Sequence, residues 1–105
     1  MPTQPQRDDQ GFLIDLTQWN ERVAETIAQE ENIHLTDAHW EIIFLLRNFY
    51  QEYAIAPAMR ILVKTVAERL GPDKGQSLYL HTLFPGSPAK VAAKIAGLPK
   101  PTNCL

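Results

Sequence analysis

The hydrophobic positions of this chain fall into five segments with helical spacing. In the first segment Trp19, Val23 and Ile27 recur every four residues, and mostly polar side chains separate them. Residues 32–35 break this pattern, which predicts that the first helix ends there.

The second segment, residues 37–53, is the most apolar of the five. Thr36 is a typical N-cap, and Asp37 stands in the first turn, where the helix dipole favours an acid. Apolar side chains cover nearly the whole circumference, which is typical of a buried helix at the centre of a domain. They are Trp40, Ile42, Ile43, Phe44, Leu45, Leu46, Phe49, Tyr50 and Tyr53. We interpret its aromatic residues as core.

Proline and glycine positions predict the third and fourth helices. Pro57 suits the first position of the third helix, and Gly71 lies just past its end. The inward stripe of this helix consists of Met59, Leu62, Val63, Val66 and Leu70. Residues 76–84 predict a short fourth helix after a turn.

The fifth helix leads into a segment that cannot be helical. Ser87 is its expected cap, Pro88 its first residue and Gly97 its end. In residues 98–105, two prolines at alternate positions favour extended structure. The sequence therefore predicts a domain over residues 1–97 and an extended arm over 98–105 that carries Cys104.

The N-terminal segment predicts a small β element. Residues 8–11 have turn chemistry, and residues 12–14 are a short apolar run typical of a strand. A partner strand would come from residues 3–7, where Pro5 restricts it to a sheet edge. The expected fold class is thus α+β and mainly α, with about five helices around a central buried helix and an N-terminal hairpin or meander.

Length and composition place the chain among ordinary globular domains. It has 105 residues, of which 45% are hydrophobic and 21% charged. There is no run of 18 apolar residues, and the N-terminal segment lacks the apolar core of a secretory signal. We therefore expect a cytoplasmic protein without a membrane partner.

Charge is distributed unevenly along the chain. Residues 1–56 carry ten acids and three bases, a net charge of −7, whereas residues 57–105 carry seven bases and two acids, a net charge of +5. Such a division can orient a protein on an anionic partner, although two solvated faces can also differ by chance. The candidate partner-binding residues are Arg60, Lys64, Lys90, Lys94 and Lys100.

A DNA-binding regulator is a further alternative. The two helices joined by residues 54–57 resemble helix pairs that enter a major groove, and Arg60 and Lys64 lie one turn apart on the second of them. The domain is acidic overall, with an isoelectric point of about 5.9, which argues against direct, sequence-specific DNA binding.

The chain offers little for metal or phosphate chemistry. His34 and His39 are five residues apart and His81 is distant, so we expect all three at loop and helix-surface positions and no metal site. Residues 71–75 lack the spacing of a phosphate-binding loop, and we expect no cofactor. The single cysteine excludes an intramolecular disulfide and a zinc site of the multi-cysteine type.

Cys104 is the candidate reactive residue. A thiol on an extended arm has the reach and access that group transfer between proteins requires, and a thiolate can attack a donor persulfide and hold its outer sulfur. A carrier of this kind needs no acid–base pair of its own, because each partner enzyme can supply one. From the residues alone, an incidental surface cysteine is the alternative.

The C-terminal sequence resembles the signature of the DsrC/TusE family. Its Gly-Leu-Pro-Lys-Pro run at residues 97–101 is followed by a penultimate cysteine, and further matches extend through most of the chain. These matches are Gly11-Phe12-Leu13, Trp19, His39-Trp40-Glu41, Arg47-Asn48-Phe49-Tyr50, Pro57-Ala58-Met59-Arg60, Leu83-Phe84-Pro85 and Gly86-Ser87-Pro88-Ala89-Lys90. The resemblance implies a helical array, a small N-terminal β-meander and a mobile arm that bears the reactive cysteine.

The resemblance also separates two functional branches. DsrC-type members have a second cysteine eleven residues before the penultimate one and act with dissimilatory sulfite reductase, but this chain has Ala93 there. The one-cysteine pattern resembles TusE, which implies a sulfurtransferase-type carrier and not a stand-alone enzyme. The implied donor is a complex of the TusBCD or DsrEFH type, and the implied acceptor is a thiouridylase of the MnmA type that 2-thiolates the wobble uridine of tRNA. A role beside sulfite reductase in sulfur metabolism is the alternative.

Overall fold

The computed structural model describes residues 4–101 and builds most of them from five α-helices. These are α1 (Glu21–Glu30), α2 (Asp37–Tyr53), α3 (Met59–Leu70), α4 (Ser77–Leu83) and α5 (Pro88–Ile95). A single turn of 3-10 helix, Leu16–Gln18, precedes α1. The predicted mainly helical fold is confirmed, and the bounds of α2 agree with the prediction to the residue. No helix in the described part of the chain has both the length and the apolarity needed to cross a membrane.

Local capping explains where the helices begin. The Asn20 side chain accepts a hydrogen bond from the Val23 amide at 2.9 Å, which starts α1. The third helix begins two residues later than predicted. Ala58 keeps an extended backbone, with φ −69° and ψ 167°, so Pro57 lies buried in the connection before α3 and not in its first turn.

The central helix is α5, and not α2 as the apolar pattern predicted. α5 packs against α1, α2, α3 and α4, and Ala92, Ala93 and Ala96 in or just after it are fully buried. Small side chains allow neighbouring helices to approach α5 closely from several directions. α2 instead leaves Phe44 and Tyr53 exposed by 43% and 56%, so the assignment of those two aromatic residues to the core was wrong.

The predicted N-terminal hairpin is not confirmed. Arg7 and Leu13 form one isolated antiparallel bridge, and the Asp8 side chain closes the predicted turn by accepting hydrogen bonds from the Gln10 and Phe12 amides. Proline at position 5 has no amide to extend the ladder, and the 3-10 helix begins three residues after the bridge. The turn was therefore predicted correctly, while no strand longer than one bridge forms in residues 4–101.

An ion pair fastens this N-terminal segment to α1. The two terminal guanidinium nitrogens of Arg7 donate to the two carboxylate oxygens of Glu30 at 2.9 and 2.6 Å. The hydrogen bond from Arg7 lowers the pKa of Glu30 below its usual range. Phe12 and Leu13, which follow the turn, are thereby held in the core with 2% and 5% exposure.

His39 is buried, which corrects the prediction of a helix-surface position. Its Nδ1 accepts a hydrogen bond from the Thr36 amide at 3.0 Å, and its Nε2 lies 2.8 Å from the carbonyl oxygen of Leu83. Since an amide can only donate and a carbonyl can only accept, these two contacts fit a ring that carries its proton on Nε2. The Phe84 ring packs edge-on against it, with centroids 5.2 Å apart. His39 thus joins the start of α2 to the end of α4.

Replacing this histidine should destabilise the protein. We expect His39→Ala to lower the free energy of unfolding by about 2–4 kcal/mol, because it removes two hydrogen bonds and leaves a cavity. His34→Ala, at an exposed position in the loop before α2, is the matched control and should change stability by less than about 0.5 kcal/mol. Urea unfolding followed by circular dichroism measures both. Equal effects of the two substitutions would contradict the structural role of His39.

Candidate functional site at the root of the C-terminal arm

The described chain ends three residues before Cys104, at the base of the predicted arm. We call residues 97–101 the arm root. Leu98 is 2% exposed and belongs to the core, Pro101 is buried, and Lys100 is exposed. The first residue of the predicted arm therefore packs as part of the domain. Cys104 itself lies outside the described residues, and its reactivity stays a prediction.

The arm root begins with a glycine turn that ends α5. Gly97 has φ +75°, a left-handed conformation that favours glycine. Its amide donates to the Lys94 carbonyl at 3.2 Å, and the Leu98 amide donates to the Ala93 carbonyl at 2.9 Å. This pair of bonds is the Schellman motif, which reverses the chain direction after a helix. The sequence predicted this end correctly from Gly97.

Two side chains satisfy the next two carbonyl groups of α5. The indole Nε1 of Trp19 donates to the Ile95 carbonyl at 2.9 Å, and a guanidinium nitrogen of Arg47 donates to the Ala96 carbonyl at 2.7 Å. We call Trp19 and Arg47 the arm clamp. With the glycine turn, the clamp provides a partner for each carbonyl from Ala93 to Ala96.

The members of the arm clamp also hold each other. The guanidinium carbon of Arg47 lies 3.9 Å from the centroid of the Trp19 ring, a cation–π contact. Burial lowers the pKa of Arg47 from its ordinary value, yet an arginine remains charged at neutral pH. Its positive charge stands at the negative end of the α5 dipole, where a cation is stabilising.

Sequence reasoning did not assign the arm clamp a role. Trp19 was interpreted as part of the apolar stripe of the first helix, although it stands two residues before α1. Arg47 offered a signal: it is the one basic residue between Arg22 and Arg60, in the middle of a strongly apolar helix. A lone arginine in such a position needs an acceptor, and here the acceptor is a helix C-terminus.

The predicted partner-binding residues divide into two groups. Arg60 and Lys64 are exposed on α3, Lys90 is half-buried on α5, and none of the three forms an ion pair within residues 4–101. Lys94 differs, because its ammonium pairs with the Glu31 carboxylate at 2.9 Å and its side chain is only 13% exposed. Lys94 therefore joins α5 to the end of α1, and its charge is paired within the domain.

Two further expectations concern the second cysteine of DsrC-type members and a metal ion. Ala93, where the resemblance implies a second cysteine in DsrC-type members, is fully buried in α5. Among the residues the structure describes, no three histidine, aspartate or glutamate side chains gather into a group that could hold a metal ion. The arrangement at the arm root is suited to positioning a chain segment.

Substitution of Gly97 tests the geometry of the arm root. A Cβ at position 97 would overlap Cδ1 of Trp19 and lie 2.6 Å from its Cγ, whereas a Cβ at Gly86, which has φ +93°, would meet nothing within 4 Å. We expect Gly86→Ala to cost about 1–2 kcal/mol for backbone strain, and Gly97→Ala to cost about 1–3 kcal/mol more for displacing the indole ring. Urea unfolding measures both values, and equal costs would contradict the close packing of Trp19 on Gly97.

Comparisons with known proteins give the relatives of this chain. The model of a family described as "DsrC like protein" matches residues 2–105. A curated relative from Haemophilus influenzae, named sulfurtransferase TusE homolog, is 60% identical over 98 residues, which are 93% of this chain and 90% of the relative. Sulfurtransferase TusE of Pectobacterium atrosepticum is 53% identical over the same shares.

Solved structures give the same fold. The NMR structure of DsrC from Allochromatium vinosum superposes with a TM-score of 0.86 at 50% identity, covering 94% of this chain and 88% of that one. The oxidized γ-subunit of the dissimilatory sulfite reductase (DsrC) from Archaeoglobus fulgidus gives a TM-score of 0.83 at 43% identity, with 96% and 92% covered.

Proposed function

Because the chain belongs to the DsrC-like protein family, we infer that it is a sulfur-relay protein that carries sulfur as a persulfide on Cys104. The relatives named sulfurtransferase TusE, at 53% and 60% identity over nearly the whole chain, are the observation that carries this conclusion. The family model extends through position 104, the location of the chain's one cysteine.

The transfer conserves sulfur oxidation states overall. The Cys104 thiolate attacks the outer sulfur of a donor persulfide, the sulfur–sulfur bond of the donor breaks, and the donor leaves as a thiolate. Cys104 then holds the outer sulfur in a new sulfur–sulfur bond. The acceptor takes that sulfur by the same exchange, which returns the Cys104 thiolate. No external oxidant or reductant is required.

The packed arm root supports a carrier with a short reach. Residues 102–104 can extend the chain by at most about 10 Å from Pro101, since each residue spans about 3.3–3.6 Å. The packing of Leu98 and Pro101 fixes the point from which this short segment starts, which limits the distance of the thiol from the domain. Confinement of this kind reduces the entropy lost when two reacting sulfur atoms meet.

The partners follow from the branch that the single cysteine indicates. The proposed donor is a complex of the TusBCD or DsrEFH type, and the proposed acceptor is an MnmA-type thiouridylase that uses the sulfur for 2-thiolation of tRNA. Arg60, Lys64, Lys90 and Lys100 are the cations proposed to meet these partners. The proposed location is the cytoplasm, where a lone thiol is kept reduced.

A second candidate is a partner subunit of dissimilatory sulfite reductase. The solved γ-subunit from Archaeoglobus fulgidus, with its TM-score of 0.83, favours it. Ala93 counts against the two-cysteine form of that role, because Cys104 has no second cysteine in this chain with which to close a disulfide. Co-purification with a sirohaem protein, undiminished by Cys104→Ser, would support this candidate over the relay.

Mass spectrometry of the intact chain tests the relay. After incubation with inorganic polysulfide we expect the wild type to gain the mass of one sulfur atom, the gain to disappear with dithiothreitol, and Cys104→Ser to gain nothing. Circular dichroism of Cys104→Ser serves as the control for folding. The relay is wrong if the wild type gains no sulfur or if the gain persists in Cys104→Ser.

A further inference from the structure

An aromatic surface lies beside the arm clamp and has no role in the relay described so far. Trp40 and Phe44, one turn apart on α2, stack with their ring centroids 5.7 Å apart and an interplanar angle of 26°. Phe44 also meets Trp19 of the arm clamp edge-on at 6.3 Å. We call Trp40 and Phe44 the aromatic face. It is continuous with the arm root, because Trp19 packs directly on Gly97.

Phe44 lies on the solvent-facing side of α2. It is 43% exposed, and Glu41 and Asn48, three and four residues away on the same face, are exposed as well. A cleft of about 200 Å³ opens beside Phe44 between α2 and the end of α3. The cleft is lined by Glu41, Phe44, Leu45, Asn48, Arg69 and Leu70. An apolar side chain from another protein would fit against Phe44 in this cleft.

The short length of the arm indicates which kind of molecule contacts the aromatic face. Because only residues 102–104 separate the packed Pro101 from the thiol, a partner sulfur must come within roughly 10–15 Å of Pro101. A specific protein interface covers about 800 Å² on each partner, which is a patch with a radius of about 16 Å. A partner in sulfur exchange therefore contacts the domain around the arm root as well as the arm. Small donors such as polysulfide need no such contact.

We propose that the aromatic face is the docking surface for the persulfide-bearing donor protein, whose own surface is apolar next to its reactive cysteine. This proposal rests on the relay function. Aromatic residues with a neighbouring arginine have the composition of interface hot spots, and Arg47 lies beside Trp19 at the edge of the face. Docking there places the donor persulfide within reach of the Cys104 thiolate for the exchange already described.

Transfer from a protein donor, compared with loading by inorganic polysulfide, tests the proposal. The protein donor is a purified TusBCD-type complex carrying labelled persulfide sulfur, and the variants are Phe44→Ser and Leu78→Ser. Leu78, on α4, is 78% exposed and is the matched control for removing an exposed apolar side chain. We expect Phe44→Ser to raise the KM for the donor about tenfold or more, to leave the polysulfide loading rate unchanged, and Leu78→Ser to change neither.

Each other outcome overturns the proposal. An unchanged KM in Phe44→Ser, or an equal rise in Leu78→Ser, excludes the aromatic face as the docking surface while the relay stands. A wild type that loads from neither donor overturns the relay, and the docking surface with it. If Phe44→Ser unfolds at the assay temperature, Phe44→Leu replaces it, and a KM that rises less than about twofold in that variant likewise overturns the proposal.

Discussion

The carbonyl groups in the last turn of α5 have no partner within the helix, and the need to pair them is the constraint on which the rest of this structure depends. This helix end is buried, and an unpaired carbonyl there would cost about 1–3 kcal/mol. Gly97 and Leu98 turn back to satisfy two of these groups, and Trp19 and Arg47 satisfy the next two. The start of α1 and the middle of α2 are thereby fixed against the same point, which is where the arm leaves the domain.

This arrangement gives a physical basis to the carrier role of the chain. The glycine turn and the buried Leu98 and Pro101 fix the end of the described chain, and three residues of chain length, at most about 10 Å, lead from Pro101 to Cys104. A partner must then approach one side of the domain. The thiol is the proposed reactive group, and the folded domain fixes the point from which the arm starts.

Much of the fold could be predicted from local signals. Thr36 marked the start of α2, Pro88 the start of α5 and Gly97 its end, because caps and glycine turns act through nearest neighbours along the chain. The pattern of apolar and polar residues gave wrong predictions where contacts between distant parts of the chain determine burial. Phe44 was assigned to the core by its apolarity, and His39 to the surface by its polarity, but Leu83 provides a buried acceptor for His39 from 44 residues away. Cys104 could be selected from sequence as the candidate reactive residue. The lone arginine in α2 indicated that an acceptor was needed, but the sequence could not identify the Ala96 carbonyl, 49 residues away, as that acceptor.

The proposed role of the arm clamp is to fix the arm root at the place where a protein partner exchanges sulfur with Cys104. Its most direct test is single-turnover transfer of labelled sulfur in the double variant Trp19→Phe/Arg47→Met, which keeps the apolar bulk of both side chains but removes both hydrogen bonds to α5. At a temperature where the variant is folded, the account predicts wild-type loading from inorganic polysulfide and a transfer rate from a persulfide-bearing protein donor that is lower by about tenfold. Wild-type rates with both donors would contradict it.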